Sequence, residues 1–230
     1  MDKILLMLQL QATLNDNTNG ENWKEGKTKN EKTIDWKRCI YMECAEMIDS
    51  FAWKHWKNID AAPDFANLQI EVIDVWHFVM SLAIERYAKE MRGMVEDIAL
   101  DFSQIPSYEI LATDKTSFDT PALIMEKVEE IMFLSLDKTN CDIEKIVTAF
   151  FELVKMSGLS QETLYRLYVG KNILNQFRQD NGYKEGTYQK LWNDEEDNVV
   201  MKRIWEENGD IKPDILYNEL EKTYLALPKS

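Results

Sequence analysis

The sequence predicts an all-α protein, a helical bundle in which two adjacent acidic helices form a metal site. Three observations carry that expectation. Glycine and proline number only eight and five among 230 residues, so the chain lacks the turn punctuation of a β-protein. Long stretches repeat apolar residues at helical rather than alternating spacing, and strand signals are weak throughout. Two acidic pairs, Glu43 with Glu46 and Glu71 with Asp74, each span three residues, stand 28 residues apart and lie in strongly apolar surroundings. Residues at i and i+3 share one helix face, so two such helices packed together gather four carboxylates into a small volume.

The elements follow in order. Residues 1–14 read as a first helix, ended by the turn-rich segment 15–20 and a polar loop to about residue 32, a length that favours mobility. A second helix is expected over 36–56 and a third over 65–91, joined through Pro63 and therefore plausible antiparallel neighbours. Thr120 reads as an N-cap with Pro121 at N1 for a helix to about residue 136. Residues 141–156 form an amphipathic helix ended at Gly158, and Ser160 opens another that runs through 177 to the Asn181-Gly182 turn. A last amphipathic helix covers 215–226. Residues 93–158 give no sign of chemistry. The whole is expected to be one domain, 1–230, with the segment around 160–200 free to move.

The acidic stripes set a physical problem. Over 70–84 the polar residues are Glu71, Asp74, His77 and Ser81, and over 40–52 Glu43, Glu46, Asp49 and Ser50 play the same part. A helix that is apolar almost all round is buried, and an ionised carboxylate buried alone is expensive. Bound cations answer this, or else Lys54, Lys57 or Arg86 reaching back from the helix ends. All-oxygen ligation without a His or Cys cluster favours Mg²⁺ or Mn²⁺ over Zn²⁺. Mg²⁺ binds phosphate oxygens beside one or two carboxylates, which makes a phosphate ester the expected substrate class.

Composition bounds the rest. A net charge of −14 argues against general nucleic-acid binding, which needs many Lys and Arg. Positive charge is nonetheless concentrated over 165–191, where Arg166, Lys171, Arg178, Lys184 and Lys190 face only Asp180 and Glu185; this is a phosphate-binding segment or a solvated basic face. No apolar run approaches 18 residues and the N-terminus lacks signal-peptide character, so no membrane association is expected. Three cysteines without a CxxC pair fit a reducing cytoplasm.

The pattern Glu43-x-x-Glu46 followed by Glu71-x-x-Asp74 resembles the all-α, MazG-like nucleoside triphosphate pyrophosphatase superfamily. Further motifs narrow the resemblance: Gln11-x-x-x-Asn15, Trp53-Lys54-His55-Trp56-Lys57, His77-Phe78, Lys171-Asn172-x-x-Asn175-x-x-Arg178-Gln179-Asp180, Gly182-Tyr183-Lys184, Lys190 and Glu196-Asp197-Asn198. Spanning residues 11 to 198, they are similar to the dimeric all-α dUTP pyrophosphatases, in particular a bacterial member. The resemblance implies Mg²⁺-dependent hydrolysis of dUTP and dUDP to dUMP, which keeps uracil out of DNA and supplies dUMP for thymidylate synthesis. It implies a cytoplasmic homodimer with two or three Mg²⁺ ions per site, Mn²⁺ substituting.

By the same resemblance Glu43, Glu46, Glu71 and Asp74 ligate the metals, and Glu46 orients or deprotonates the attacking water. Gln11, Asn15 and Asn175 are implied at the uracil edge, where an amide offers both donor and acceptor. His55, His77 and Phe78 line the pocket. Lys171, Arg178, Lys184 and Lys190 suit the triphosphate, with Tyr183 at the deoxyribose or a phosphate and Asn198 completing the site. From the residues alone, Gln11 and Asn15 read equally as helix surface and cap, His77 as a hydrogen-bond partner of a carboxylate, Phe78 as core, and Trp53 and Trp56 as packing residues that a dimer interface would also suit. Two other readings stay open: a related pyrophosphatase acting on dCTP or damaged nucleotides, and a helical adaptor whose acidic stripes are ion pairs.

Overall fold

A computed structural model describes residues 3–57, 60–112, 116–137, 139–208 and 212–227. The described residues form ten α-helices and one two-stranded ribbon: α1 (Lys3–Asn19), α2 (Trp36–Ile48), α3 (Phe65–Lys89), α4 (Val95–Ser103), α5 (Pro106–Ile110), α6 (Pro121–Leu136), α7 (Ile143–Met156), α8 (Gln161–Asp180), β1 (Leu191–Trp192), β2 (Glu195–Glu196), α9 (Asp197–Glu207) and α10 (Pro213–Leu225). A 3-10 turn, Glu21–Glu25, follows α1. The all-α expectation holds. The chain divides into two compact units, Met1–Tyr165 and Arg166–Ser230.

The first unit is built around α3, which has fourteen buried residues. Trp76 at its centre is fully buried, stacks on Phe150 of α7 with ring centroids 4.7 Å apart, and donates its indole N–H to the Met7 sulfur of α1. Phe151 and Phe102 complete this aromatic cluster. The acidic helices α2 and α3 are neighbours, as their short connection predicts, and α2 also packs on α6.

Two helix ends and the loop between them differ from the sequence reading. Helix α1 runs five residues past Leu14, because the amide of Asn15 is buried and bonded within the core instead of starting a turn. The helix stops at Gly20, whose φ of 92° is left-handed backbone open to glycine. The polar loop beyond it is anchored by Trp23, fully buried, with its indole N–H donated to Asp16 Oδ1 at 2.8 Å and its ring edge-on to Trp36. Helix α2 ends at Ile48 rather than near 56, since the Asp49 side chain accepts from Trp53 Nε1 (2.9 Å) and Lys54 Nζ (2.7 Å) and closes the chain into a turn.

Helices α4 and α5 lie in the stretch that carried no signal; α5 begins with Pro106 at its first position, where a missing N–H costs nothing. In the second unit Phe177 of α8 is fully buried among Tyr188, Trp192, Tyr217 and Tyr224. The β1–β2 ribbon was not anticipated. Asn193 and Asp194 turn it, both at positive φ, the backbone of a type I′ hairpin that Asn and Asp tolerate.

Candidate functional site

Asp35 caps α2 by accepting from Arg38 N, and Asp64 caps α3 by accepting from Asn67 N. The connector between them is tied across its neck, with Asp64 N donating to Ser50 O (2.8 Å) and Asn67 Nδ2 to Ser50 Oγ (3.0 Å). The two helices are thus pinned together at the end that carries the carboxylates.

There Glu43, Glu46 and Glu71 each bring one carboxylate oxygen within 4.8 Å of the others, Glu43 and Glu71 half-buried and Glu46 exposed. Asp74 stands one turn along α3 from Glu71, half-buried and outside this trio. Oxygens gathered to within 4.8 Å of one another are close enough together to serve one hard cation. The donor set fits: all oxygen, no sulfur, no imidazole. Of the bases that could neutralise the stripes, Lys54 does pair with one stripe acid, Asp49, at 2.7 Å, whereas Arg86 pairs with Glu90 at 2.9 Å and the Cys141 carbonyl at 3.1 Å. Lys54 and Trp53, by donating to it, hold the Asp49 carboxyl below its usual range.

Next to the acidic stripe, α1 and α3 share a buried polar network. Gln11 Nε2 donates to Ser81 Oγ (3.0 Å) and to Asn15 Oδ1 (3.2 Å); Asn15 Nδ2 donates to the same hydroxyl (2.9 Å), which itself donates to the His77 carbonyl (2.8 Å). His77 Nδ1 meets Gln11 Oε1 at 2.6 Å. An amide oxygen only accepts, so Nδ1 carries the proton in this bond. Gln11 and Asn15 are therefore neither surface nor cap, and Gln11 is a partner of His77. Ser81 is the member whose role sequence reasoning missed. Its place in the stripe, four residues after His77, was the available signal. Phe78 is half-buried and packs against Trp36, a neighbour that the sequence did not suggest.

The segment after α2 is different in kind. Trp53, His55 and Trp56 lie in an exposed turn, stacked edge-to-face on one another, with Trp56 64% exposed. Trp53 and Trp56 are therefore not core residues of the chain itself.

In the second unit most of the expected phosphate-binding residues converge. Lys171 Nζ donates to Asn198 Oδ1 at 2.8 Å. Arg178 donates through Nε and Nη2 to Asp197 at 2.8 and 2.7 Å, and through Nη1 to Asn175 Oδ1 at 3.2 Å. Its guanidinium and the Lys190 ammonium lie 5.6 and 5.7 Å from the Tyr183 ring centre. Tyr183 and the exposed Lys184 sit in the turn 181–186, which closes through Thr187 N to Gly182 O. The bidentate partner of Arg178 in the structure is Asp197, a residue to which the sequence reading gave no role of its own.

Fold and site together define an all-α protein with a carboxylate centre suited to a cation. The sequence profile of the dUTPase family matches residues 3–183, most of the chain, and the protein belongs to that family, whose activity is dUTP hydrolysis. The match takes in both acidic pairs and the Lys171 to Tyr183 motif and stops before Lys190 and Asn198. No curated protein matches the chain. No described helix is long and apolar enough to cross a membrane.

Proposed function

We propose that this protein hydrolyses dUTP and dUDP to dUMP with Mg²⁺, two or three ions per site, Mn²⁺ substituting. The observation that carries the reading is the convergence of Glu43, Glu46 and Glu71 from two neighbouring helices in a chain of the dUTPase family. These three, with Asp74, are the residues that hold the cations. When bound, such cations neutralise phosphate charge and make a water more acidic. Glu46, the most exposed of the trio, orients that water and accepts its proton. The water oxygen bonds to the β-phosphorus as the bond to the α–β bridging oxygen breaks, leaving dUMP and pyrophosphate, or phosphate from dUDP.

Gln11 and Asn15, held in one orientation by Ser81 and His77, offer a fixed donor and acceptor pattern to the uracil edge, joined by Asn175. His55, His77 and Phe78 line the base pocket. Lys171, Arg178, Lys184 and Lys190 take the phosphates, with Tyr183 and Asn198 beside them. The protein acts as one functional domain and a cytoplasmic homodimer, keeping uracil out of DNA and supplying dUMP for thymidylate synthesis.

Incubation with Mg²⁺ and each of dUTP, dUDP, dCTP and dTTP, with products separated by ion exchange, tests the reading. Conversion of dUTP and dUDP to dUMP supports it. Preferential turnover of dCTP overturns the assignment of the base pocket, and failure to release dUMP from dUDP removes the diphosphate from its substrates.

A further inference from the structure

We infer that Asp197 is a positioning residue, which fixes Arg178 and, through Asn198, Lys171 before a nucleotide arrives; this rests on the reading of their cluster as phosphate-binding. Asp197 is the first residue of α9 and is 1% exposed. A carboxylate so placed needs strong partners, and it has three donors. Arg178 Nε and Tyr188 OH donate to Oδ2 at 2.8 and 2.9 Å, and Arg178 Nη2 donates to Oδ1 at 2.7 Å. Its own N–H donates to the Lys190 carbonyl at 3.0 Å, tying the start of α9 to the end of the basic segment.

A bidentate carboxylate fixes the plane of a guanidinium as well as its position. With that plane set, Nη1 faces Asn175 Oδ1 at 3.2 Å and Nη2 approaches Asn198 Oδ1 at 3.4 Å. Asn198 in turn accepts from the buried ammonium of Lys171. Four residues assigned to the nucleotide are therefore oriented from one buried carboxylate. An anion there opposes phosphate binding by charge, so its effect on affinity has two parts of opposite sign: orientation of the donors and electrostatic masking of Arg178. The inference is that orientation prevails, because a charge-assisted hydrogen bond keeps its strength only when its geometry is kept.

Calorimetric binding of dUMP, α,β-imido-dUDP and α,β-imido-dUTP with Mg²⁺ separates these effects, using wild type, Asp197→Asn and Asp197→Glu, each checked for helicity by circular dichroism. Asp197→Asn is expected to weaken the imido-triphosphate about tenfold or more while dUMP changes less than about twofold, with Asp197→Glu between it and wild type. Equal losses for all three ligands, no loss, or tighter triphosphate binding overturn the inference. Should Asp197→Asn fail to fold, Tyr188→Phe removes one donor from the same carboxylate and keeps the ion pair; it must weaken the imido-triphosphate relative to dUMP, and no change overturns the inference. Wild-type protein that does not bind the imido-triphosphate overturns the phosphate-binding reading itself, and the inference with it, whatever the variants do.

Discussion

Gln11 Oε1 and His77 Nδ1 lie 2.6 Å apart, and this bond joins the N-terminal helix to the acidic helix α3 at the level of the carboxylate stripe. Because Ser81 accepts from both Gln11 and Asn15, the orientation of each amide is fixed by the same hydroxyl, which itself donates to the His77 carbonyl one turn back in α3. Such buried networks are costly when partly broken.

Ser81→Ala tests this directly. It leaves two buried amide donors short of an acceptor, and a loss of about 1–3 kcal/mol is expected. Urea unfolding monitored by circular dichroism should show a lower midpoint at unchanged m-value, together with a raised KM for dUTP. Stability equal to wild type would show that the network is not cooperative.

Glu46→Gln keeps size, turns one acceptor oxygen into a donor and removes the proposed proton acceptor. The rate should fall by about 10²–10⁴, the range of general base catalysis. A single-turnover measurement at saturating dUTP and Mg²⁺ checks it. A fall in apparent metal affinity with an unchanged maximal rate would reassign Glu46 to ligation alone.

Trp76→Ala empties the centre of the first unit, where the indole stacks on Phe150 and bonds the Met7 sulfur. A destabilisation of about 3–5 kcal/mol is expected. Chemical denaturation measures it, and a loss below that range would mean that the surrounding helices collapse into the space.

Alkaline pH should unfold the protein for a definable reason. Burial first, and then Asp101 and Asp197, push the phenols of Tyr87 and Tyr188 above the usual range, and burial raises Tyr168 as well. Tyr217 is pushed up to about 12 by burial and by its bond to Asp180. Folding favours the protonated phenols, so this contribution is complete below the unfolded value near 10 and is lost as pH rises through the folded values. Tm should hold to about pH 10 and then drop steeply, with phenolate absorbance at 295 nm appearing together with unfolding. A flat Tm to pH 12 would contradict it.

The sequence was most legible where periodicity and chemistry coincide. Glu43, Glu46, Glu71 and Asp74 declared both the helices and the acidic face, and Thr120-Pro121 marked the start of α6 by its capping chemistry. It was least legible where tertiary contacts override local preference. Asn15 stays helical because its amide is buried against Ser81, and Asp49 stops α2 by binding Trp53 and Lys54, pairings that spacing does not encode. The role of Asp197 was hidden for a similar reason, since its partner Arg178 lies nineteen residues away and is brought to it by the β1–β2 ribbon and the turns before it.

On the proposed reading, dUTP hydrolysis depends on a cation held by the carboxylates of α2 and α3. The rate of dUMP formation from dUTP, titrated with Mg²⁺ after exhaustive chelation, measures it in wild type and in Glu71→Gln. The account predicts no turnover in the chelated enzyme, a saturable return with Mg²⁺, and a titration displaced to much higher Mg²⁺ in Glu71→Gln. Undiminished turnover in the chelator, or a Glu71→Gln titration that overlays wild type, would contradict it.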